Sequence, residues 1–368
     1  MHKAYRYRIY PTEEQKVLLS KTFGCVRVIW NRNATIFGTY DKETNPKPVY
    51  QSTTEIKSEL VWMSEVSAAA LQQKEIDFKE YKKQYFSKTR SKKIGRCSFK
   101  KKHQKQSYRL PNQKFDLGNH EIRLEKIGWV KTVVERRPSK DSKYLSVTVS
   151  KDPTQKYFVS VLVDEQVLEK VPQTRRVVGI DLGLKELVIT SEGIKYENPQ
   201  WFRENQAPLR RAQKNLSRKK KGSSRYIKSK IKVARIHSKT ANQRKWFHHQ
   251  VSLDLVRVYD FIGLEDLNVK GMVKNRKLSK SISDAGWAQF VSFLEYKALR
   301  NDKVVQKINR FFPSSKMCFD CGTIKQDLTL KDRSWVCESC GCMPDRDINA
   351  ARNILREAQD IAQGVACA

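Results

Sequence analysis

Three acidic residues each lie where a predicted element begins or ends. Asp181 ends the apolar run VVGID, Glu265 ends the run FIGLE, and Asp347 opens the segment DINAARNIL. Enzymes that hydrolyse phosphodiesters commonly use two divalent ions about 3.5–4 Å apart, and about three carboxylates hold such a pair. The set therefore predicts a metal-dependent site, with Mg²⁺ or Mn²⁺ bound by these three residues.

Two of the three positions have an acidic neighbour that competes for the same role. Glu265 is followed by Asp266, and only one of them can join a shared site because successive side chains of a strand point to opposite faces. Glu265 is preferred because it is the first polar residue after the apolar run. Asp345 competes with Asp347, whose position at a helix start would also suit an N-cap.

Glycines flank the first acid on both sides. Gly179 and Gly183 bracket Asp181, and a strand glycine often marks a place where a ligand or another backbone comes close. We interpret the pair as leaving room for a phosphate beside the carboxylate.

Four cysteines form two short knuckles. Cys318 and Cys321 are separated by two residues, as are Cys337 and Cys340. Four thiolates complete a tetrahedral shell around zinc, so the pattern predicts a structural Zn²⁺ site with no open position for water. Cys342 could replace Cys340 if the register were shifted.

The charge of the chain favours a polyanionic partner. Its 73 Lys and Arg residues against 39 acidic residues give a formal net charge of +34, far more than solubility requires. Residues 203–245 contain sixteen Lys and Arg residues and a single acid, Glu204. The predicted nucleic-acid contacts in this stretch are Arg210, Arg211, Lys219, Lys220 and Lys221.

Membrane association and export are not expected. The N-terminal segment MHKAYRYRIYP lacks the apolar core of a signal peptide, and no basic amphipathic helix accompanies an apolar span or lipid anchor. We expect a cytoplasmic protein.

Periodicity predicts two halves with different architectures. Tyr5, Tyr7 and Ile9 alternate as in a half-buried strand, and Thr12 with Gln15 has capping-box spacing for a following helix. A second helical stretch follows, and strands return from Ile122 to Val163. This order predicts one β-barrel interrupted by a helical module.

The second half is predicted to be α/β. VVGIDLG, ELVITSEG and IKYEN indicate three short strands, FIGLE and VVQKI two more, and GWAQFVSFLEYKALRN a helix. Neither Gly nor Pro occurs between Gly222 and Gly263. This gap predicts one long helix of roughly 50 Å.

Several motifs resemble those of the TnpB family, transposon-encoded RNA-guided nucleases related to the type V CRISPR effectors. The matching segments are GIDLG, the glutamate of GLEDL, SISDAGWAQF, PSSKMCFDCG, CESC and DRDINAARNI, together with RYRIYPTEEQ and KIGWVK near the N-terminus. These segments occur in the order and spacing of the family, and together they span nearly the whole chain.

The resemblance implies an α/β plus β-barrel fold. A RuvC (RNase H-like) nuclease domain with a zinc ribbon would follow a wedge β-barrel that carries a helical recognition insertion. The implied divisions are wedge barrel 1–10, helical recognition module 11–95, remainder of the wedge barrel 96–171, RuvC 172–312, zinc ribbon 313–344, and the last RuvC motif 345–368.

The resemblance also implies an activity and its partners. Family members bind a guide RNA transcribed from the transposon end and cut double-stranded DNA beside a short adjacent motif. The family pattern prefers Asp347 over Asp345 as the third metal ligand. Tyr50 and Gln72 fall where relatives place residues that read the adjacent motif, although Gln72 could simply be exposed on its helix.

Two other functions remain open on these residues. A nuclease-silent, RNA-guided DNA-binding repressor would have the same architecture but lack a carboxylate. A DNA strand-transfer transposase could use a similar acidic triad, but would need a domain that binds the terminal repeats, and the sequence shows none.

Overall fold

The computed structural model describes residues 2–40, 47–87, 94–166, 170–329 and 332–364. The chain divides into two compact units, Met1–Gln166 and Val167–Ala368. Each unit has its own sheet and its own hydrophobic core.

The first unit is an antiparallel sheet with a helical insertion after its first strand. Its elements are β1 His2–Tyr10, α1 Glu13–Gly38, α2 Thr53–Glu59, α3 Ala68–Phe86, β2 Gln106–Pro111, β3 Phe115–Leu117, β4 Glu121–Leu124, β5 Gly128–Val133, β6 Lys143–Lys151 and β7 Tyr157–Asp164. A strand, a helical module and then further strands is the order that the sequence predicts.

Local sequence patterns account for how this unit begins. Tyr5, Tyr7 and Ile9 are all buried on one face of β1, as their alternation predicts. The side chain of Thr12 accepts from the backbone N–H of Gln15, and the Gln15 side chain accepts in return from the Thr12 N–H. This capping box starts α1 and is confirmed.

The seven strands lie in the order β2-β6-β7-β1-β5-β4-β3. The two edge strands, β2 and β3, are joined by a 3₁₀ turn of only three residues, Asn112–Lys114, so the sheet must curl to bring its edges together. Within the described residues no pairing links β2 to β3. The closed barrel expected from the sequence is therefore not confirmed.

The second unit is a mixed sheet covered by helices. Its elements are β8 Val177–Asp181, β9 Glu186–Thr190, β10 Lys195–Glu197, α4 Trp201–Glu204, α5 Gln206–Ser217, α6 Ser224–Val258, β11 Phe261–Glu265, α7 Val269–Met272, α8 Ser279–Ala285, α9 Trp287–Arg300, β12 Val304–Ile308 and α10 Arg346–Ala362. The order is β10-β9-β8-β11-β12, with β8, β11 and β12 parallel and β9 and β10 antiparallel to their neighbours.

The long helix is confirmed. α6 has 35 residues, about 52 Å at 1.5 Å per residue. Its second half packs with α9 on one face of the sheet, in a core that contains Val178, Ile180, Ile262 and Leu264 of the two central strands.

The opposite face of the sheet is covered by α10, and two glycines permit a very close approach. Gly179 of β8 and Gly263 of β11 are paired across the parallel ladder. A Cβ on Gly179 would lie 2.0 Å from the carbonyl oxygen of Ala351, and one on Gly263 would lie 2.7 Å from the Cβ of Ala358. Any larger residue would push the helix off the strands.

Replacing Gly179 by Ala should destabilise the second unit. The new methyl group would collide with helix backbone that cannot rotate away, and overpacking of this kind costs about 1–3 kcal/mol or more. Denaturant unfolding of the two proteins measures the loss. Gly38→Ala is the matched control, because nothing lies within 4 Å of its added Cβ; equal stability of the Gly179→Ala and Gly38→Ala proteins would contradict the packing argument.

Candidate active site

The first two predicted acids are neighbours at one edge of the second sheet. Asp181 is the last residue of β8 and Glu265 the last of β11. The two strands are parallel, and Ile180 pairs with Leu264 one position earlier. Because side chains alternate along a strand, both acids lie on the face that α10 covers, whereas Ile180 and Leu264 enter the core beneath α6 and α9.

The third acid reaches the same place from the helix. Asp347 lies in the first turn of α10, which packs along β8 and β11. Burial, and then the nearby carboxylates of Glu265 and Asp347, raise the pKa of Asp181 to about 7. Three carboxylates this close repel one another, and a bound cation would relieve that repulsion.

Glu265 is held by a residue that the sequence analysis did not single out. Ser314 donates a hydrogen bond of 2.5 Å to Oε1 of Glu265. Burial raises the pKa of Glu265, while this hydrogen bond opposes the rise. Its neighbour Asp266 makes an ion pair of 2.6 Å with Arg310.

The structure assigns different tasks to the two acids of the DRD motif. Asp345, rather than Asp347, is the N-cap of α10: its Oδ1 accepts from the N–H groups of Asp347 (3.0 Å) and Ile348 (3.1 Å). Its other oxygen pairs with Lys195 at 2.9 Å. The expectation that Asp347 could cap the helix is therefore wrong.

Asp347 is contacted by two guanidinium groups. Arg346 donates to its Oδ1 at 2.8 and 3.0 Å, and Arg333 donates to its Oδ2 at 3.0 Å. These contacts hold the carboxylate half-buried at the start of the helix.

The glycines beside Asp181 do not leave room for a phosphate. The space at Gly179 is filled by α10, and a Cβ on Gly183 would lie 2.6 Å from the carbonyl oxygen of Glu186 in the turn to β9. Our interpretation of this pair was wrong because a sequence does not show which group occupies the space that a glycine leaves.

Two buried asparagines tie the start of α10 to the cysteine segment. Asn349 and Asn353 each donate to the carbonyl oxygen of Met317 at 2.6 Å, and Asn353 also donates to that of Ser314 at 2.8 Å. They are 2% and 0% exposed. Sequence reasoning missed both, although two asparagines four residues apart on an amphipathic helix are a signal for paired polar contacts on one face.

The predicted thiols converge, with one addition. The sulfur atoms of Cys318, Cys337, Cys340 and Cys342 all lie within 4.8 Å of one another. The sulfur of Cys321 lies 3.5 Å from that of Cys337. The cluster fits a structural zinc site, and it offers five thiols for four positions.

The two knuckles share one backbone conformation. In each, the N–H of the glycine after the second cysteine donates to the carbonyl oxygen of the first, at 2.9 Å for Gly322 and 2.8 Å for Gly341. Both glycines have positive φ, 78° and 73°, which other residues adopt only at a cost. The repeated turn aims the sulfurs of each knuckle toward a common centre.

The five predicted contacts of the basic stretch lie on α5 and on the connection to α6. Arg210, Arg211, Lys220 and Lys221 are exposed and Lys219 is half-buried. In the described parts of the chain none of the five makes an ion pair. Their charges therefore remain available to a partner, and their role stays a prediction.

The two residues expected to read a DNA motif lie in the first unit. The ammonium group of Lys79 lies 4.8 Å from the centre of the Tyr50 ring. Lys79 and Gln72 both line a pocket of about 510 Å³ between α2 and α3. Gln72 is exposed, and its role also stays a prediction.

No helix in the described residues is both long enough and apolar enough to cross a membrane.

Three family models match parts of the chain. A model described as "Probable transposase" matches residues 158–276, one described as "Cas12f1-like, TNB domain" matches 287–354, and one described as "Helix-turn-helix domain" matches 1–33. The second match covers all five cysteines of the cluster.

Two curated relatives match over most of their length, and a third matches over a shorter stretch. A protein of Streptomyces pristinaespiralis named "Putative RNA-guided DNA endonuclease" is 39% identical over 96% of this chain and 88% of its own. A relative from Escherichia coli (strain K12), named "Putative RNA-guided DNA endonuclease InsQ", is 28% identical over 96% and 91%. A "TnpB-like protein L79" of Acanthamoeba polyphaga mimivirus is 32% identical over 34% of this chain and 24% of its own.

A solved structure shares the fold. The protein in "Cryo-EM structure of the Cas12f1-sgRNA-target DNA complex" aligns with a TM-score of 0.56 at 12% identity, over 96% of this chain and 98% of that one. With one relative 39% identical over nearly the whole chain and the motifs of the sequence in the same order, the chain belongs to the TnpB family of nucleases.

Proposed function

We propose that this protein is an RNA-guided endonuclease that cuts double-stranded DNA beside a short adjacent motif, in a reaction that requires Mg²⁺ or Mn²⁺. The guide would be an RNA transcribed from the end of the transposon that encodes the protein. The convergence of Asp181, Glu265 and Asp347 at one sheet edge carries the proposal. The names of the curated relatives support RNA guidance and DNA as the substrate.

The second unit would be the RuvC nuclease domain, comprising 172–312 and 345–368, with a zinc ribbon at 313–344. The strand directions support this proposal, since three parallel and two antiparallel strands present two acids at one edge. The first unit would be the wedge barrel, 1–10 and 96–171, carrying a helical recognition module at 11–95.

The donor set fits hard divalent cations, which prefer carboxylate oxygens. Asp181, Glu265 and Asp347 would hold the ions, which supply stabilisation of the charge on the attacking and leaving oxygens. Ser314 orients one oxygen of Glu265. Arg333 and Arg346 hold the carboxylate of Asp347 at the start of α10 through ion pairs. Glu265 and Asp347 are thus held in place before a substrate binds.

Affinity for nucleic acid would come from other residues. Base pairing with the guide would supply sequence specificity, while the basic stretch would contact phosphates. Tyr50 and Gln72 would read the adjacent motif, since a glutamine side chain can pair with adenine through two hydrogen bonds.

Replacing Asp181, Glu265 or Asp347 singly by Ala should abolish cleavage and leave RNA and target binding largely intact. Each variant removes an ion ligand but no phosphate contact. The measurement is Mg²⁺-dependent cutting of a guide-matched duplex by the purified ribonucleoprotein, beside a binding assay. Asp266→Asn is the control, because Asp266 is paired with Arg310 and its loss should reduce cleavage far less than the loss of an ion ligand.

The same assay separates the alternatives. An unaltered ribonucleoprotein that binds its matched target and never cuts would establish the repressor instead. Joined rather than hydrolysed DNA ends would establish the strand-transfer transposase. Normal cutting by Asp347→Ala with none by a folded Asp345→Ala protein would place the third ligand at Asp345.

Replacing Cys337 or Cys340 by Ser should release one zinc per chain and loosen residues 313–344, because a small ribbon buries little apolar area on its own. Metal analysis and hydrogen exchange measure the two effects. Cys97→Ser, in the first unit, should retain its zinc. Comparing Cys321→Ser with Cys342→Ser identifies the fourth ligand, and unaltered protein without stoichiometric zinc would overturn the assignment.

Replacing Lys220 and Lys221 together by Gln should weaken RNA binding and flatten its salt dependence, since each lost phosphate contact lowers the logarithmic slope by about 0.7–0.9. Affinity measured over a series of salt concentrations gives the slope. Lys140→Gln with Lys156→Gln removes the same charge from the first unit and should change the slope less. Equal slopes for the Lys220/Lys221 double variant and the unaltered protein would mean that these lysines are only solvated.

A further inference from the structure

Phe311 is the most exposed of the large hydrophobic residues in the described parts of the chain. Its side chain is 85% exposed. Its neighbour Phe312 packs instead against Ile308, Ile354 and Ala358. A single exposed apolar residue is ordinary on a protein surface, so the exposure matters only together with the position and the rigidity of the ring.

Phe311 lies in a segment that starts and ends next to Glu265. β12 ends at Ile308, which pairs with Glu265 in the parallel ladder. The segment 309–314 then returns to Glu265, because Ser314 donates to that carboxylate. Ser314 is three positions after Phe311, so their Cα atoms are at most about 11 Å apart. This is the distance scale of one or two nucleotides along an unpaired strand.

The backbone that carries the ring is fixed at several points. Asn309 accepts from the N–H of Phe311 through its side chain at 3.0 Å and from the N–H of Phe312 through its carbonyl oxygen at 3.1 Å. Arg310 is paired with Asp266 at 2.6 Å. Ser314 N–H donates to the Phe312 carbonyl oxygen at 2.8 Å. The turn therefore commits one phenylalanine to the core and holds the other outward.

From this geometry we infer that Phe311 is a stacking platform for a nucleobase of the strand being cut, and so a positioning residue for the proposed reaction. The inference rests on the proposed nuclease function. A rigid aromatic ring loses little conformational entropy on binding, and any base offers it a π-face. Bases inside a duplex have both faces covered, so the strand at this point must be unpaired.

The test combines three substitutions at one position. Phe311→Ala removes the ring, Phe311→Leu keeps apolar bulk without a π-face, and Phe311→Trp keeps a stacking surface. In the purified ribonucleoprotein carrying Asp181→Ala, the affinity for a single-stranded DNA oligonucleotide should fall roughly five-fold to 150-fold with Phe311→Ala. Phe311→Leu should remain weak, and Phe311→Trp should restore binding. In the nuclease-competent background the cleavage rate at low substrate should follow the same order.

A 2-aminopurine base in the oligonucleotide provides a readout that does not depend on cutting, because stacking quenches its fluorescence. Quenching should be present with Phe311 and Phe311→Trp and lost with Phe311→Ala and Phe311→Leu. Leu299→Ala is the matched control, because Leu299 is also highly exposed, at 71%. It lies near the end of α9, shortly before β12 begins, and so at the opposite end of the strand from Phe311. It should change neither binding nor fluorescence.

The possible results distinguish the stacking role of Phe311 from the proposed nuclease function on which it rests. Equal binding by Phe311 and Phe311→Leu, or unchanged binding by a folded Phe311→Ala protein, would refute the stacking role while leaving the nuclease intact. An unaltered ribonucleoprotein that never cuts would remove the proposed function, whereas the fluorescence signal would still report whether the ring stacks on a base.

Discussion

The arrangement of the second unit depends on the close contact between α10 and the two central strands. The backbone of α10 lies where a Cβ on Gly179 would be, and the Cβ of Ala358 lies 2.7 Å from where a Cβ on Gly263 would be. Because the two glycines are paired across the ladder, they form one shallow groove in which the helix packs. This groove sets the distance between α10 and the sheet, and therefore the distance from Asp347 to the acids at the ends of β8 and β11.

Charge balance is the second constraint at the sheet edge. Burial, and then the nearby carboxylates of Glu265 and Asp347, raise the pKa of Asp181, so bringing the three acids together in their charged forms is unfavourable. The fold assigns most nearby cations to particular acids: Lys195 to Asp345, Arg310 to Asp266, and Arg333 with Arg346 to Asp347. Asp181 and Glu265 have no such guanidinium partner among the described residues. They are the pair that most needs a cation from solution.

The sequence predicts those features that depend on neighbours along the chain. The alternation of Tyr5, Tyr7 and Ile9 and the capping box at Thr12 are local, and both are confirmed. The three acids could be named because each follows or opens an apolar run. What the sequence could not show was which distant group meets each residue, so the roles of Gly179 and Ser314 escaped it.

The same distinction explains the cysteines and the third motif. Spacing identifies two knuckles, but choosing among five sulfurs requires the fold that brings Cys342 near Cys318. Spacing likewise leaves Asp345 and Asp347 equivalent until the helix start is known. Because α10 begins at Arg346, the Asp345 side chain caps the helix by accepting from two backbone N–H groups. Asp347 is then the acid of this motif that lies near Asp181 and Glu265.

The hydrogen bonds from Asn349 and Asn353 to Met317 connect the thiol cluster to the helix that carries the third acid. Met317 directly precedes Cys318, so the backbone that carries the first sulfur also accepts from the helix that carries Asp347. Thiolates are the groups in this protein most readily oxidised. Oxidation of these sulfurs would disturb the backbone that Asn349 and Asn353 hold, and with it the start of α10, which carries the third carboxylate.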